Sequence, residues 1–170
     1  MSPPVAVQFR VLKPSDESVV KTWLREYLRM HIGWWVSCVG SAWSPERIDA
    51  HIDEHDLLGL DWDEMIADVE KSDRFSTVAW SGARALGVVS GGTRKDRYFC
   101  GKKGHLGWIF VDGAERGQGV GRLLMEWSEF WYRSKGVELR EIFVTQHNEQ
   151  AIGLYEAGGY RAVDLRMLRK

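Results

Sequence analysis

The chain has two cysteines in 170 residues, almost no net charge and no long apolar run, and each shortage removes a class of protein. Cys38 and Cys100 are too few to build a disulfide framework or a metal-ligand cluster, which suits a reducing, cytoplasmic setting. No metal is expected. The formal net charge of -1 leaves no basic surplus, so general nucleic-acid binding is not expected either. No stretch approaches the roughly 20 apolar residues of a membrane span, and the opening MSPPVAVQFRV has no basic segment leading into an apolar one. Neither membrane insertion nor secretion by such a signal is expected. Internal repeats, linkers and low-complexity segments are also missing, so residues 1–170 read as a single domain. With 44% hydrophobic and 28% charged residues, that domain has ordinary material for a packed core.

What the chain does have is the stretch Leu106–Leu124, LGWIFVDGAERGQGVGRLL. It reads as a strand, a short polar loop and the start of a helix. Gly117, Gly119 and Gly121 remove side chains where the loop enters the helix, which lets a ligand approach backbone N–H groups closely. Those groups and the positive end of the helix dipole suit an anion, and Arg116 and Arg122 add full charges beside them. Spacing separates the loops that use such glycines. A phosphate-binding P-loop needs Lys and Ser/Thr after the last glycine, where this chain has Arg122, Leu123 and Leu124; a dinucleotide fingerprint needs glycine where Arg122 stands. Arg116-Gly117-Gln118-Gly119-Val120-Gly121, following Val111, instead resembles the Arg/Gln-x-x-Gly-x-Gly/Ala pyrophosphate loop of the GCN5-related N-acetyltransferases (GNAT), which hold acetyl-coenzyme A.

The rest of the chain reads as alternating elements. Val5, Val7, Phe9 and Val11 have the period of a strand, and a helix capped by Ser15 or Asp16 runs to about Met30. His31–Trp43 reads as loop or irregular helix. Ser44-Pro45 starts a second helix, with Ile48 and Ile52 inside, until Gly59; Asp61 with Glu64 starts another, to about Lys71. Phe75–Trp80 and Ala85–Gly91 are strands joined by a hairpin turn at 81–84, and His105–Val111 is the next. Apolar residues from Val120 to Trp131 recur at helical spacing until Gly136. Glu141–Gln146 reads as a fifth strand, Asn148–Ala157 as a helix ended by Gly158-Gly159, and Tyr160–Leu168 as the final strand or a bent pair of strands.

This α/β order is similar to the GNAT acyl-CoA N-acyltransferase fold, a mixed central sheet flanked by helices. A second motif strengthens the resemblance: Asn148-x-x-Ala151-x-x-Leu154-Tyr155-Glu156-x-x-Gly159-Tyr160 is similar to the family's Leu-Tyr-x-x-x-Gly-Phe signature, with Tyr160 for the commoner Phe. The resemblance implies an N-acetyltransferase that moves an acetyl group from acetyl-CoA to a primary amine by direct attack in a ternary complex. Phe110, Val111, Arg116, Gly117, Gln118, Gly119, Val120, Gly121, Arg122 and Asn148 would then meet the cofactor. A CoA-binding sensor without turnover is the alternative from another class, against which the retained Tyr155 leans. A homodimer is compatible with the family.

Acetyl transfer needs a neutral amine, a donor to the developing oxyanion and a proton for the departing thiolate. Tyr155 lies two helical turns after Asn148 on the same face, which in the family looks toward the cofactor sulfur, and it is the candidate acid. It also reads as a core tyrosine. Asn148 reads equally as a helix cap or a cofactor contact. His105, six residues before Val111 and on its face in an unbulged strand, is the candidate base, since several family members place a Glu or His there. A partly exposed histidine beside Lys102 and Lys103 is its bland reading. The oxyanion is expected to meet a backbone N–H near Val111, where strands four and five splay in this family.

The acceptor side is lopsided in charge. Between Pro45 and Asp73 eleven acids face Arg47 and Lys71, a net of -9, which either draws in a cationic amine such as a polyamine, aminoglycoside or lysine side chain, or is a solvated helical face. Trp34, Trp35 and Trp43 read as an aromatic wall at that entrance or as packing under a loop.

Overall fold

The computed structural model describes residues 6–168, and Val5 of the first expected strand lies outside them. Strand β1 is Gln8–Val11; helices α1 (Glu17–Cys38), α2 (Pro45–Glu54) and α3 (Leu57–Asp68) follow. Strands β2 (Arg74–Ser81), β3 (Arg84–Lys95) and β4 (Lys102–Val111) come next, then α4 (Val120–Ser134), β5 (Leu139–Ile142) and α5 (Glu149–Ala157). The strands form one sheet in the order β1-β2-β3-β4-β5, antiparallel except that β5 runs parallel to β4. This is the mixed sheet that the residue pattern implied. Among the described residues no helix is long and apolar enough to cross a membrane.

Both faces of the sheet are covered, because its central strands carry apolar residues on both. On one face Val89 and Leu106 pack with Leu124, Met125 and Tyr132 of α4 and with Tyr155 of α5. On the other, Val78, Val88 and Phe110 pack with Val20, Trp23 and Leu24 of α1 and with Trp62 and Met65 of α3. Burying each such side chain contributes about 1.5–3 kcal/mol. The Tyr132 ring lies so close to the sheet that a Cβ at Gly104 would stand 2.7 Å from it, so that position admits no side chain.

Several local signals act as expected. Ser44 accepts a hydrogen bond from the Arg47 N–H and Pro45 opens α2, while Gly136 (φ +67°) ends α4 and Gly159 (φ +90°) ends α5. Others are corrected. α1 does not stop at Met30 but continues to Cys38, because Tyr27, His31 and Trp35, one turn apart, stack along one side of it. It ends where Gly40 (φ +69°) lets the N–H groups of Gly40 and Ser41 bond back to Ser37 and Val36. α3 starts at Leu57, not Asp61: Asp56 caps it by accepting from the Gly59 N–H. Gly59 therefore does not interrupt a helix; a Cβ there would stand 2.3 Å from the capping carboxylate. β5 stops at Ile142 rather than Gln146, since β4 turns away from it there. Residues 160–168 form no strand among the described residues, and Val163, Leu165 and Met167 stay exposed.

Candidate active site

β4 and β5 pair only from Lys103↔Leu139 to Leu106↔Ile142. At that point Gly107 is skipped in the pairing with β3, since Ser90 faces Trp108 while Gly91 faces Leu106. This bulge bends β4 and leaves its edge from Gly107 to Val111 with β3 on one side and no strand on the other, among the described residues. Backbone groups on that edge have no ladder partner. A wedge opens there between β4 and the segment 143–148.

The bulge also corrects the face assigned to His105. One extra residue shifts the alternation, so Val111 packs with the α4 cluster. His105, opposite Gly92, falls instead on the face of Val88, Trp108 and Phe110. There His105 Nδ1 is 3.5 Å from Glu141 Oε1 without a hydrogen bond, and Arg94 and Lys103 both pair with Glu141. Burial pushes the His105 pKa down to about 4, helped by the positive charges of Arg94, Arg74 and Lys103. It is neutral at pH 7.

The glycine loop leads from the wedge into α4. Gly117 (φ +76°) and Gly119 (φ +85°) adopt left-handed backbone, and a Cβ built on either would meet nothing within 4 Å, so the loop's outer side is open. Gly119 is the N-cap of α4, and the N–H groups of its first turn point outward. Arg116 is engaged within the fold. Its guanidinium donates to the Val111 carbonyl (3.2 Å) and to Glu26 of α1 (2.6 Å), tying the loop to α1. Gln118 donates back to the Ala114 carbonyl. Arg122 is exposed and makes no ion pair among the described residues. Phe110 is buried against Trp23, Val120 lies in the core below the loop, and Gly121 packs on Leu154 of α5. Trp23 Nε1 donates to Asp112 (2.9 Å), and Arg84 pairs with the buried Glu115, so the loop is anchored on both sides.

On α5, Asn148 is engaged as the helix cap, accepting from the Ala151 N–H at 3.2 Å. Tyr155 is 7% exposed, 6.1 Å from the Tyr160 ring. Burial raises its pKa well above the phenol range, and the phenols of Tyr27 and Tyr160 add to this. Tyr155 is therefore a protonated donor at any working pH.

Across the wedge stands an aromatic wall whose first members, Tyr27 and His31, the sequence reading did not single out. Tyr27 of α1 meets Trp108 edge-on (4.3 Å) and stacks on His31 (5.2 Å). His31 Nδ1 lies 3.1 Å from Thr145 Oγ1 and 3.4 Å from the Tyr27 hydroxyl. Asp61 of α3 is half-buried near Tyr27; burial, with Glu64 beside it, pushes its pKa up to about 6. Tyr27 in turn is pushed up to about 12 by burial and the Asp61 charge. Spacing by four residues along Tyr27, His31 and Trp35 was the signal for this wall, hidden once the helix was ended at Met30. Of the three tryptophans expected at the entrance, Trp35 joins it, while Trp43 packs under Arg47 and on His51 of α2. The acidic run is partly spent on α1: Asp49 and Asp53 pair with Arg25 and Arg29.

The sequence matches the Acetyltransferase (GNAT) family over residues 24–160, and the chain belongs to that family. Its fold is that of solved acetyltransferases. The PaiA N-acetyltransferase of Thermoplasma acidophilum, in complex with coenzyme A, superimposes with a TM-score of 0.71 at 16% identity, over 95% of this chain and 93% of that one. The aminoglycoside enzyme AAC(6')-Iy, in complex with a CoA-acetylneamine bisubstrate analogue, gives 0.64 at 18% identity over 97% of each chain. An acetyltransferase of Trypanosoma brucei gives 0.63 at 20% identity, over 96% of this chain and 98% of that one. At these identities the likeness concerns the fold. A search of curated protein sequences returns no match.

Proposed function

We propose that this chain is one acetyl-CoA-dependent N-acetyltransferase domain acting on a primary, cationic amine in the cytoplasm. The observation that carries the reading is the wedge itself, where an open edge of β4, the N-terminus of α4 and the buried Tyr155 converge within the family's matched segment. The residues fit the cofactor. The N–H groups at Gly119–Arg122 and the Arg122 charge suit its pyrophosphate, and the edge from Gly107 to Val111, which has no strand beside it and only its Val111 carbonyl taken by Arg116, suits the pantetheine arm and thioester carbonyl. Bound acetyl-CoA supplies the acyl group as a thioester.

The chain's own residues do the rest. A backbone N–H of the β4 edge donates to the carbonyl oxygen as it becomes negative, and Tyr155 gives a proton to the departing thiolate. Asp61, beside Tyr27, suits a cationic acceptor, as does the acidic surplus of α2 and α3. That an AAC(6')-Iy structure carries an acetylneamine analogue is consistent with such an acceptor. The test is a panel of polyamines, aminoglycosides and lysine peptides with acetyl-CoA, read by release of free thiol. Amine-dependent release is expected; tight acetyl-CoA binding with no release on any amine would leave the sensor reading instead.

A further inference from the structure

His31 is joined to Trp108 of the open β4 edge through a single residue, Tyr27. Its ring is stacked on Tyr27 from the same helix, and Thr145 reaches its Nδ1 from the segment after β5, so the imidazole joins α1 to that segment. Both partners of Nδ1 are hydroxyls, at 3.1 and 3.4 Å. With hydrogen on Nε2 and the Nδ1 lone pair free, either hydroxyl can donate to Nδ1. Tyr27 also touches Trp108 on the open edge of β4 and lies near enough to Tyr155 to raise its pKa. Contacts thus run from Trp108 on the open edge of β4 through Tyr27 to His31.

We propose that His31, rather than His105, takes up the proton that the amine loses, receiving it through the Tyr27 hydroxyl. The proposal rests on the acetyltransferase reading above. The ammonium first gives one proton to solvent; as the nitrogen of the resulting free amine bonds to the carbonyl carbon, its N–H bond breaks toward the Tyr27 oxygen, while the Tyr27 proton passes to His31 Nδ1. The C–S bond then breaks and the thiolate takes the Tyr155 proton. The imidazolium returns its proton by way of Tyr27 to Tyr155, so both tyrosines and the histidine end as they began.

Surroundings separate the two histidines. An imidazolium at His105 would stand among Arg94, Arg74 and Lys103, against the single acid Glu141 that the first and last already engage. His31 faces Tyr27 and Trp35 on its own helix and Thr145 across the wedge. Asp61 of α3 and Tyr155 of α5 stand beyond Tyr27, and Arg166 lies over the Trp35 ring at 5.8 Å. Burial lowers the His31 pKa, which keeps it neutral and ready near pH 7.

Two measurements on the full chain test this. Proton NMR of the histidine ring, assigned with His31→Gln, should find His31 titrating below about 6.5. Thr145→Val should raise that midpoint, because the hydroxyl favours the neutral ring. A His31 titration moved by neither Thr145→Val nor Tyr27→Phe would overturn the network whether or not any amine is turned over. With an amine that the wild type acetylates, turnover should rise with pH through the same midpoint, ahead of any rise from the amine itself. His31→Gln should abolish that limb and Tyr27→Phe should lower kcat about 10²–10³-fold with the KM for acetyl-CoA little changed. His105→Ala should keep the limb. A limb that survives His31→Gln or disappears in His105→Ala would overturn the proposal, while failure of the wild type on every amine would overturn the acetyltransferase reading and leave the NMR result standing.

Discussion

Burial acts on single side chains here in ways that depend on their charge type. It penalises the ionised form, so it raises the pKa of a phenol or carboxyl and lowers that of an imidazole. For Tyr155 this keeps the phenol protonated, as its proposed role as proton donor requires. Tyr155→Phe should therefore leave acetyl-CoA affinity nearly intact and lower kcat by about 10²–10⁴, measured on an amine for which chemistry limits the rate. For Asp61 the same physics works against the fold. Its folded pKa, about 6, lies above the ordinary carboxyl value of about 3.9, so the folded state binds a proton that the unfolded state has released between those limits. Stability falls as pH rises through that window, and the charged form is disfavoured above it. Asp61→Asn should stabilise the protein at pH 7.5 by about 1 kcal/mol, after allowance for solvent screening, and by nothing below pH ~4. Thermal melts at the two pH values check this. The same variant should raise the KM of a cationic amine if Asp61 meets it, the usual exchange of stability for a site.

Elements were legible in the sequence where one local signal decided them. Ser44-Pro45 opened α2, Gly136 closed α4 and Gly159 closed α5, each through hydrogen bonds made within a few residues. Ser44→Ala should accordingly cost about 1 kcal/mol in urea unfolding, with the slope unchanged. What escaped depended on partners distant in sequence. The last turns of α1 are held by Thr145 and by stacking along the wall, which a Gly33-containing stretch does not advertise. Asp56 caps α3 from a left-handed backbone, φ +46°, so the acid at Asp61 looked like the start. The bulge at Gly107 is set by the pairing of β3 with β4, and it alone reversed the face of His105. The alternation in Val163, Leu165 and Met167 is a strand pattern without a neighbouring strand to pair with. The open backbone of the glycine loop was legible, but Arg116 was not legible as a staple, because its partner Glu26 lies 90 residues away.

At the scale of the whole molecule those staples matter, for they join α1, the glycine loop and the two sides of the sheet into one frame around the wedge. Trp23 with Asp112, Glu26 with Arg116 and Arg84 with Glu115 hold the loop before any ligand arrives. A ligand that binds such a preformed site stabilises the folded state by mass action, about 2.7 kcal/mol at one hundred times its Kd. For a chain of this length that is a rise in Tm of roughly 5–11 °C. Acetyl-CoA should produce it, and NAD and ATP at the same concentration should not, since their recognition loops need residues this loop lacks. The variants apportion the effect. Arg122 is exposed and free of ion pairs among the described residues, so Arg122→Glu should leave the unliganded Tm within about 1 °C and weaken acetyl-CoA about 10–100-fold. Gly119→Glu should remove the shift altogether, because a carboxylate then occupies the anion site; it should also lower the unliganded Tm, since φ +85° strains any L-residue there. A full acetyl-CoA shift in folded Gly119→Glu, or one produced only by NAD or ATP, would move the cofactor off this loop, and with it the roles given to the wedge and to Tyr155.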